Sequence, residues 1–189
     1  QSGKGGVAYV LDREHGLDLP KSMHPEVGGI ISSRADKQGS ELSVDEIRDA
    51  FFEEFVNREG PLKLLDHDEM HVESANAEGR LVHQRAKRGA EYGWTFSLDY
   101  KGAKDVVEGF GNGPINALAH AMERQGIKNF KVTDYRSHAL TDGSAADAAA
   151  YVQIVAEETG ASFWGCGVDP SIELAGMKAL VSAFNRLSQ

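Results

Sequence analysis

The stretch GFGNGPINALAHAM at residues 109–122 decides the fold, because its pattern occurs again as GCGVDPSIELAGMKAL at residues 165–180. Two glycines and one proline of the first copy recur 56 residues later (165 − 109). In each copy a strand-like run gives way to a helix-like run, and the proline falls near the first helical turn, where its missing N–H costs nothing. The glycines permit close backbone approaches that a side chain would block.

The rest of the chain is organised around this repeat. Strand-like runs followed by a helix-like run occupy residues 61–126 and again residues 127–189, while residues 1–57 carry helical signals. A helix that is apolar on one face must bury that face on a sheet or on another helix. We therefore predict an α+β fold, with a helical linker subdomain followed by two βββα units related by a pseudo-twofold axis. Residues 61–189 are expected to form one domain built from these two units.

The clearest local signal in the helical part is the capping-box pattern of Ser43 and Glu46. It opens a run with Ile47, Phe51 and Phe55 on one helical face. We expect an earlier helix to be disturbed by Pro25 and the following glycine pair. The stretch ADKQGSE at residues 35–41 indicates a flexible linker.

Composition excludes several classes of protein. A formal net charge of −9 argues against general affinity for nucleic acid or anionic membranes, and the basic run at residues 80–89 has no interleaved aromatic residues. A single cysteine excludes an internal disulfide and fits a reducing compartment. Since there is no apolar run of about 18 residues, we expect a cytoplasmic protein. The start of the chain lacks an initiator Met, and we expect it to be part of a longer protein.

No stretch of the sequence reads as a complete catalytic or metal site. His67 and His71 lie four residues apart in a strand-like pattern, which separates them too far to share a metal. The glycines near the start of the chain lack the spacing of a phosphate-binding loop. Asp134, Arg136, His138 and Asp142 suggest acid–base chemistry without a nucleophile beside them, and Cys166 has no evident basic partner.

The duplicated helix-entry loops are the best candidate for a binding site. Backbone N–H groups at a helix start suit a carboxylate or a phosphate. The alternative is a tight structural turn, and the second copy favours a ligand site between the two loops.

Several motifs, in this order, resemble the C-terminal part of the 2-isopropylmalate synthase family: QSGKGGVAYVL, HGLDLP, GFGNGPINAL, DYRSHAL and WGCGVDPSIELAGMKALVSAFNR. The resemblance covers essentially the whole chain. It implies that residues 1–57 are a linker subdomain and that residues 61–189 are a regulatory domain that binds leucine. In that family a (β/α)8 barrel condenses acetyl-CoA with 2-oxoisovalerate, using a divalent metal. The barrel is not part of this sequence, so we expect the chain to be inactive alone and to hold no metal or other cofactor.

The resemblance also implies the position of the leucine site, at the paired helix-entry loops near a dimer interface. The implied ligand-binding residues are Gly111, Asn112, Gly113, Pro114, Ile115 and Asn116 on the first copy, Val132, Tyr135, Ala139 and Ala146 on the strand region between, and Val168, Pro170 and Ile172 on the second copy. The expected partners are L-leucine, a second copy of the chain and the catalytic barrel.

Three alternatives remain open from sequence. An isoleucine-sensing domain of a citramalate synthase would use a similar scaffold. A dimerisation module without a ligand would keep the fold and lose the pocket. A small hydrolase would need a histidine brought to Cys166.

Overall fold

The computed structural model describes residues 4–140 and 147–189. The chain forms two compact units. One unit joins the residues up to Gly60 with Lys131–Gln189, and the other is Pro61–Phe130. The helical segment therefore shares a compact unit with the second repeat.

Three helices make up the helical segment: α1 (Lys4–His15), α2 (His24–Gln38) and α3 (Val44–Phe55). A single 3-10 turn, Lys21–Met23, precedes α2. The predicted capping box at the start of α3 is confirmed, since Ser43 Oγ accepts from Glu46 N at 3.2 Å and Ser43 N donates to Glu46 Oε1 at 2.8 Å.

The expected disturbance of α2 does not occur. Pro25 lies in the first turn of α2, where no backbone N–H is needed. Gly28 is buried and Gly29 has open space around it, so neither breaks the helix. The helix ends at Gly39, whose φ of 81° suits glycine. The first four residues of the expected flexible linker are consequently helical.

The second repeat forms an antiparallel sheet in the order β7-β8-β9, followed by α5. The ranges are β7 (Phe130–Ala139), β8 (Ala148–Ala156), β9 (Ser162–Asp169) and α5 (Ile172–Leu187). Central strand β8 is buried on both faces, because α5 packs on one face and the helical segment packs on the other.

One apolar core joins the helical segment to this sheet. Its buried members are Val7, Leu11, Leu17, Leu19, Met23, Val27, Ile31, Ile47, Ala50, Phe51, Phe55, Ala149, Tyr151, Trp164 and Cys166. The last four come from β8 and β9. Removing the apolar surface of these side chains from water stabilises the contact between the helices and the sheet.

The outer edge of β9 is continued by the chain that leaves α3. Val56 forms a parallel bridge with Cys166, and Asn57 N donates to Cys166 O at 2.9 Å. Asn57 Nδ2 donates to Val168 O at 3.2 Å, and Val168 N donates to Asn57 Oδ1 at 3.1 Å. This short extension satisfies an edge that would otherwise be open.

A buried arginine fastens the same region. Arg186 on α5 is 4% exposed, and its Nε donates to Glu54 Oε2 at 2.9 Å. Its Nη1 bonds Glu26 and, at 2.8 Å, the carbonyl oxygen of Trp164. The guanidinium also lies 4.0 Å from the centre of the Phe55 ring. Since a buried charge is tolerated only when it is paired, this cluster holds α2, α3, β9 and α5 in one arrangement.

The first repeat forms a sheet with β5 at its centre. Its elements are β1 (Leu62–Glu69), β2 (His71–Ala75), β3 (Leu81–Arg85), β4 (Lys87–Arg88), β5 (Glu91–Tyr100), β6 (Ala103–Gly111) and α4 (Pro114–Arg124). Strands β1 and β4 pair successively with one side of β5, and β6 pairs with the other side, all antiparallel. Strands β2 and β3 form a separate hairpin.

This unit carries an insertion that the sequence did not reveal. The two strand-like runs at residues 61–74 and 79–89 are each broken, at Met70 and at Ala86. These two residues bond each other (Ala86 N to Met70 O, 2.8 Å), and both bond Gly93. The hairpin therefore leaves the sheet between β1 and β4, which together occupy one strand position. The predicted α+β fold with two sheet-and-helix units is confirmed, with a hairpin added to the first.

The repeated glycines allow each helix to lie directly on the last strand of its unit. A Cβ at Gly109 would be 2.0 Å from Ala117 O, and one at Gly167 would be 1.9 Å from Ala175 O. Real Cβ atoms do not come so close to a backbone oxygen. The repeat in the sequence thus corresponds to the same strand-on-helix packing, made twice.

Candidate effector site

The N-terminus of α4 has no side-chain cap. Gly113 is its N-cap in extended conformation, without a side-chain cap, and Pro114 is the first helical residue. The first helical bond runs from Ala117 N to Gly113 O at 3.0 Å. The N–H groups of Ile115 and Asn116 belong to the first turn and have no acceptor within the helix. Such a helix start can bind a carboxylate.

The remaining residues of this loop differ in what they can contribute. Gly111 ends β6 and is buried, and a Cβ there would lie 2.6 Å from Ala117 N, so its role is packing. Asn112 is exposed, and its Oδ1 accepts from the Asn116 side chain. These two amides, together with half-buried Ile115, place polar and apolar surface beside the helix start.

The start of α5 is capped by side chains of its own loop. Ser171 Oγ accepts from Leu174 N at 3.2 Å, and Ser171 N donates to Asp169 Oδ2 at 2.8 Å. Asp169 Oδ1 in turn pairs with Lys178 Nζ at 2.7 Å. The helix begins two residues after Pro170, whereas Pro114 is itself the first residue of α4. Ser171 Oγ thus caps one first-turn N–H of α5, whereas α4 has no side-chain cap, so the two loops are alike in sequence and different in capping.

Strand β7 exposes its side chains. No residue of β7 is fully buried, Tyr135 is 42% exposed, Ala139 is exposed and Val132 is half-buried. Ala146, the fourth residue expected on this part of the chain, lies outside the described residues.

Within this unit, the structure brings only part of the expected set together. Leu140 N bonds Asp147 O at 2.8 Å, and the adjacent Ala148 pairs with Asp169, so Ala139 lies at the same end of the sheet as the α5 entry. Val132 lies next to Thr133, whose Oγ1 bonds Gln153 Oε1 at 3.0 Å. Gln153 and Ala148 are five residues apart along β8, which corresponds to about 17 Å of strand. Val132 is therefore distant from Val168, Pro170 and Ile172, and Tyr135 lies between. The six residues of the first loop belong to the other compact unit.

Sequence reasoning treated His138 as a possible acid–base group, and the structure gives it a different setting. Its Nε2 accepts from Asp18 N at 3.2 Å and lies 2.9 Å from Tyr151 Oη. Its ring stacks on that of Tyr151, with 5.5 Å between centroids. Burial raises the pKa of Tyr151, which keeps its hydroxyl protonated. These contacts connect β7 to the helical segment, and the motif DYRSHAL alone did not indicate them.

Arg186 was also missed by sequence reasoning. Its only signal is a charged residue in the last turn of a largely apolar helix. The buried Phe55 face of α3, which the sequence did indicate, is where its guanidinium packs.

The other chemical candidates sit in unreactive surroundings. Cys166 is buried, and burial raises the pKa of its thiol, so the nucleophilic thiolate does not form near neutral pH. His67 lies on β1 and His71 on exposed β2. Across residues 4–140 and 147–189, no three histidine, cysteine or acidic side chains come together as metal ligands would. None of the helices in the described chain has both the length and the apolar content needed to span a bilayer.

The fold and these loops define a module of two sheet-and-helix units, in which α4 begins without a side-chain cap and α5 begins with one. The chain belongs to the LeuA allosteric (dimerisation) domain family, whose model matches residues 41–188. Similar proteins include the 2-isopropylmalate synthases of Corynebacterium glutamicum strain R, 37% identical over 98% of this chain, and Schizosaccharomyces pombe, 36% identical over the whole chain. That of Mycobacterium ulcerans is 38% identical over the whole chain. The matched region spans 28% of the first of these relatives and 31% of the other two.

Proposed function

We propose that this chain is the leucine-binding, feedback-inhibition domain of a 2-isopropylmalate synthase and has no catalytic activity by itself. The observation that carries the proposal is the uncapped N-terminus of α4, in a chain whose family is described as allosteric. The names of the relatives support leucine biosynthesis as the context. We assign the condensation of acetyl-CoA with 2-oxoisovalerate to the catalytic barrel of such a synthase, which carries the divalent metal.

The free amino acid offers three groups for recognition. Its carboxylate binds the N–H groups of Ile115 and Asn116, beside the extended backbone of Gly113. Its ammonium group requires acceptors, which the Asn112 and Asn116 amides and nearby backbone carbonyls supply. Its isobutyl group needs a compact apolar surface. Gly111 and Pro114 shape the loop.

The other residues of the proposed set contribute apolar surface. Those of the β7 region are Tyr135, Ala139 and Ala146, because Val132 lies about 17 Å along the sheet from the α5 entry and one leucine does not reach both. Val168, Pro170 and Ile172 come from the α5 entry, where Ile172 is 48% exposed. Because Ser171 already caps Leu174 N and acidic Asp169 and Glu173 lie at that helix start, we assign the carboxylate of the ligand to the α4 loop and not to this one.

Feedback inhibition requires that leucine bind one arrangement of the enzyme more tightly than another.

The chain is expected to form a homodimer, as the family description indicates. Light scattering with and without leucine measures the oligomeric state, and a monomer under both conditions contradicts this part of the proposal.

Calorimetric titration of the chain with L-leucine tests the binding itself, with L-isoleucine, L-valine and D-leucine in parallel. An aliphatic pocket separates amino acids that differ by one methylene by about 1–3 kcal/mol, so the expected preference for L-leucine over L-valine is measurable. L-isoleucine, an isomer of leucine, tests the shape of the pocket. Stronger binding of isoleucine identifies the citramalate synthase alternative. If none of the four ligands binds and the chain remains dimeric, the domain is a dimerisation module.

A further inference from the structure

The helical segment is attached differently to the two edge strands of the β7-β8-β9 sheet. At β9 the attachment is dense, through Asn57, Arg186 and Glu26. At β7, a hydrogen bond runs from Asp18 N to His138 Nε2 at 3.2 Å. A strand with no fully buried residue is the least constrained of the three, and its movement reaches the helices at this point.

The contacts of His138 fix which ring nitrogen carries the proton. A backbone N–H can only donate, so Nε2 is the acceptor for Asp18 N at 3.2 Å, and the Tyr151 hydroxyl donates to the same nitrogen at 2.9 Å. The Nδ1–H then donates to Ala139 O at 3.0 Å. All three contacts agree with the neutral Nδ1–H tautomer. The ring is thus held by β7, β8 and the helical segment at once.

Asp18 is well placed to pass on a movement. It lies between Leu17 and Leu19, which are 1% and 5% exposed and belong to the core between the helices and the sheet. This short connection joins α1 to the turn that precedes α2. A displacement of its backbone therefore shifts two core side chains at the base of both helices.

We propose that His138 is the positioning residue through which ligand occupancy on β7 is transmitted to the helical segment at Asp18. The proposal rests on the proposed function, because His138 directly precedes Ala139, one of the residues assigned to leucine. Leucine is not in contact with the imidazole. Its binding fixes β7, and the imidazole carries that change to the Asp18 amide.

The test is a leucine titration of the 15N-labelled chain, followed at the backbone amide of Asp18. In the native chain the Asp18 cross-peak moves in proportion to leucine saturation. In His138→Ala the calorimetric affinity for leucine stays within about fivefold of native, since the imidazole is not in contact with the ligand. The Asp18 cross-peak no longer follows leucine. His138→Gln restores the response, because its side-chain oxygen can accept from the same N–H.

His24→Ala is the matched control. His24 also bonds this connection, through Nε2 and Leu19 O at 3.2 Å, but it does so from α2 and not from β7. The Asp18 response should survive in this variant, and native-like spectra show that each variant has folded. An equal response in His138→Ala, or no response in the native chain at leucine saturation, overturns the inference alone. Absence of leucine binding in the calorimeter overturns the proposed function as well.

Discussion

At the scale of single residues, glycines in one motif have separate roles. Gly111 lies under α4, where a Cβ would be 2.6 Å from Ala117 N. Gly113, two residues later, has no atom within 4 Å of such a Cβ, and its extended backbone suits any residue. Gly111 is therefore required by the packing of the fold, and Gly113 is not.

Gly111→Ala should lower the midpoint of thermal unfolding strongly, because the helix backbone must move to admit the methyl group. We expect a loss of about 1–3 kcal/mol, as for other overpacked sites. Gly113→Ala should unfold at the native temperature. Scanning calorimetry of both variants makes the comparison, and equal stability of the two would contradict the packing role of Gly111.

Arg186 is the residue on which the attachment of the helical segment most depends. Burial raises the pKa of Glu54, but hydrogen bonding and the charge of Arg186, with help from Arg58, outweigh it, and the pKa is lowered from its ordinary value. Arg186→Met removes the arginine that pairs with Glu26 and one of the two that pair with Glu54, and should cost about 3–5 kcal/mol of unfolding free energy near pH 7. Arg34→Met, which removes the exposed pair with Glu53, should cost about 0–1 kcal/mol.

The difference in unfolding free energy between the native protein and Arg186→Met should depend on pH in one direction. A carboxyl whose pKa is lowered on folding stabilises the native state above its unfolded pKa, and this stabilisation is lost as pH falls through the folded value. The gap between native protein and Arg186→Met should therefore narrow below about pH 4.5, as Glu54 is protonated. Urea unfolding at a series of pH values measures it, and a gap that widens in acid would be inconsistent with this ion cluster.

At the scale of elements, the two repeated helices begin differently. Ser171 caps the N-terminus of α5 through its side chain, whereas α4 has no side-chain cap. The same proline–glycine pattern thus yields one helix start with a side-chain cap and one without.

Ser171→Ala should remove about 1 kcal/mol of stability, which is typical of a lost N-cap. Leucine affinity should stay native, because the carboxylate is assigned to the other loop. Unfolding and calorimetric titration of the same sample measure both effects. A large fall in leucine affinity would move the carboxylate to the α5 entry.

Much of the element order could be predicted from sequence, for physical reasons. The capping box of α3 and the glycine–proline repeat are local signals, and they identified α3, α4 and α5. Breaks at Met70 and Ala86 depend on hydrogen bonds to Gly93, which no local pattern reveals. The cluster around Arg186 and the contacts of His138 link residues more than one hundred positions apart, so only the folded chain shows them.

At the scale of the whole molecule, the helical segment is part of a compact unit and not an appendage to it. Ala149, Tyr151, Trp164 and Cys166 on the β8–β9 face are covered by α1, α2 and α3. Without those helices, this apolar face would meet water.

A chain limited to residues 61–189 should consequently fail to fold as a soluble unit, although these residues contain both repeats. We expect the truncated chain to bind a hydrophobic dye and to aggregate. We expect the full chain to do neither. Dye fluorescence and light scattering measure this outcome. A monodisperse, cooperatively unfolding product would show that the helical segment is a separable domain.

The most direct test of the account is a calorimetric titration of L-leucine into the native chain and into Gly113→Ala, side by side. The account predicts saturable binding to the native chain and none to the variant, at equal thermal stability, because the added methyl group occupies the space beside the α4 N-terminus. Equal binding to both proteins would place the ligand elsewhere, and no binding to the native chain would contradict leucine recognition by this domain.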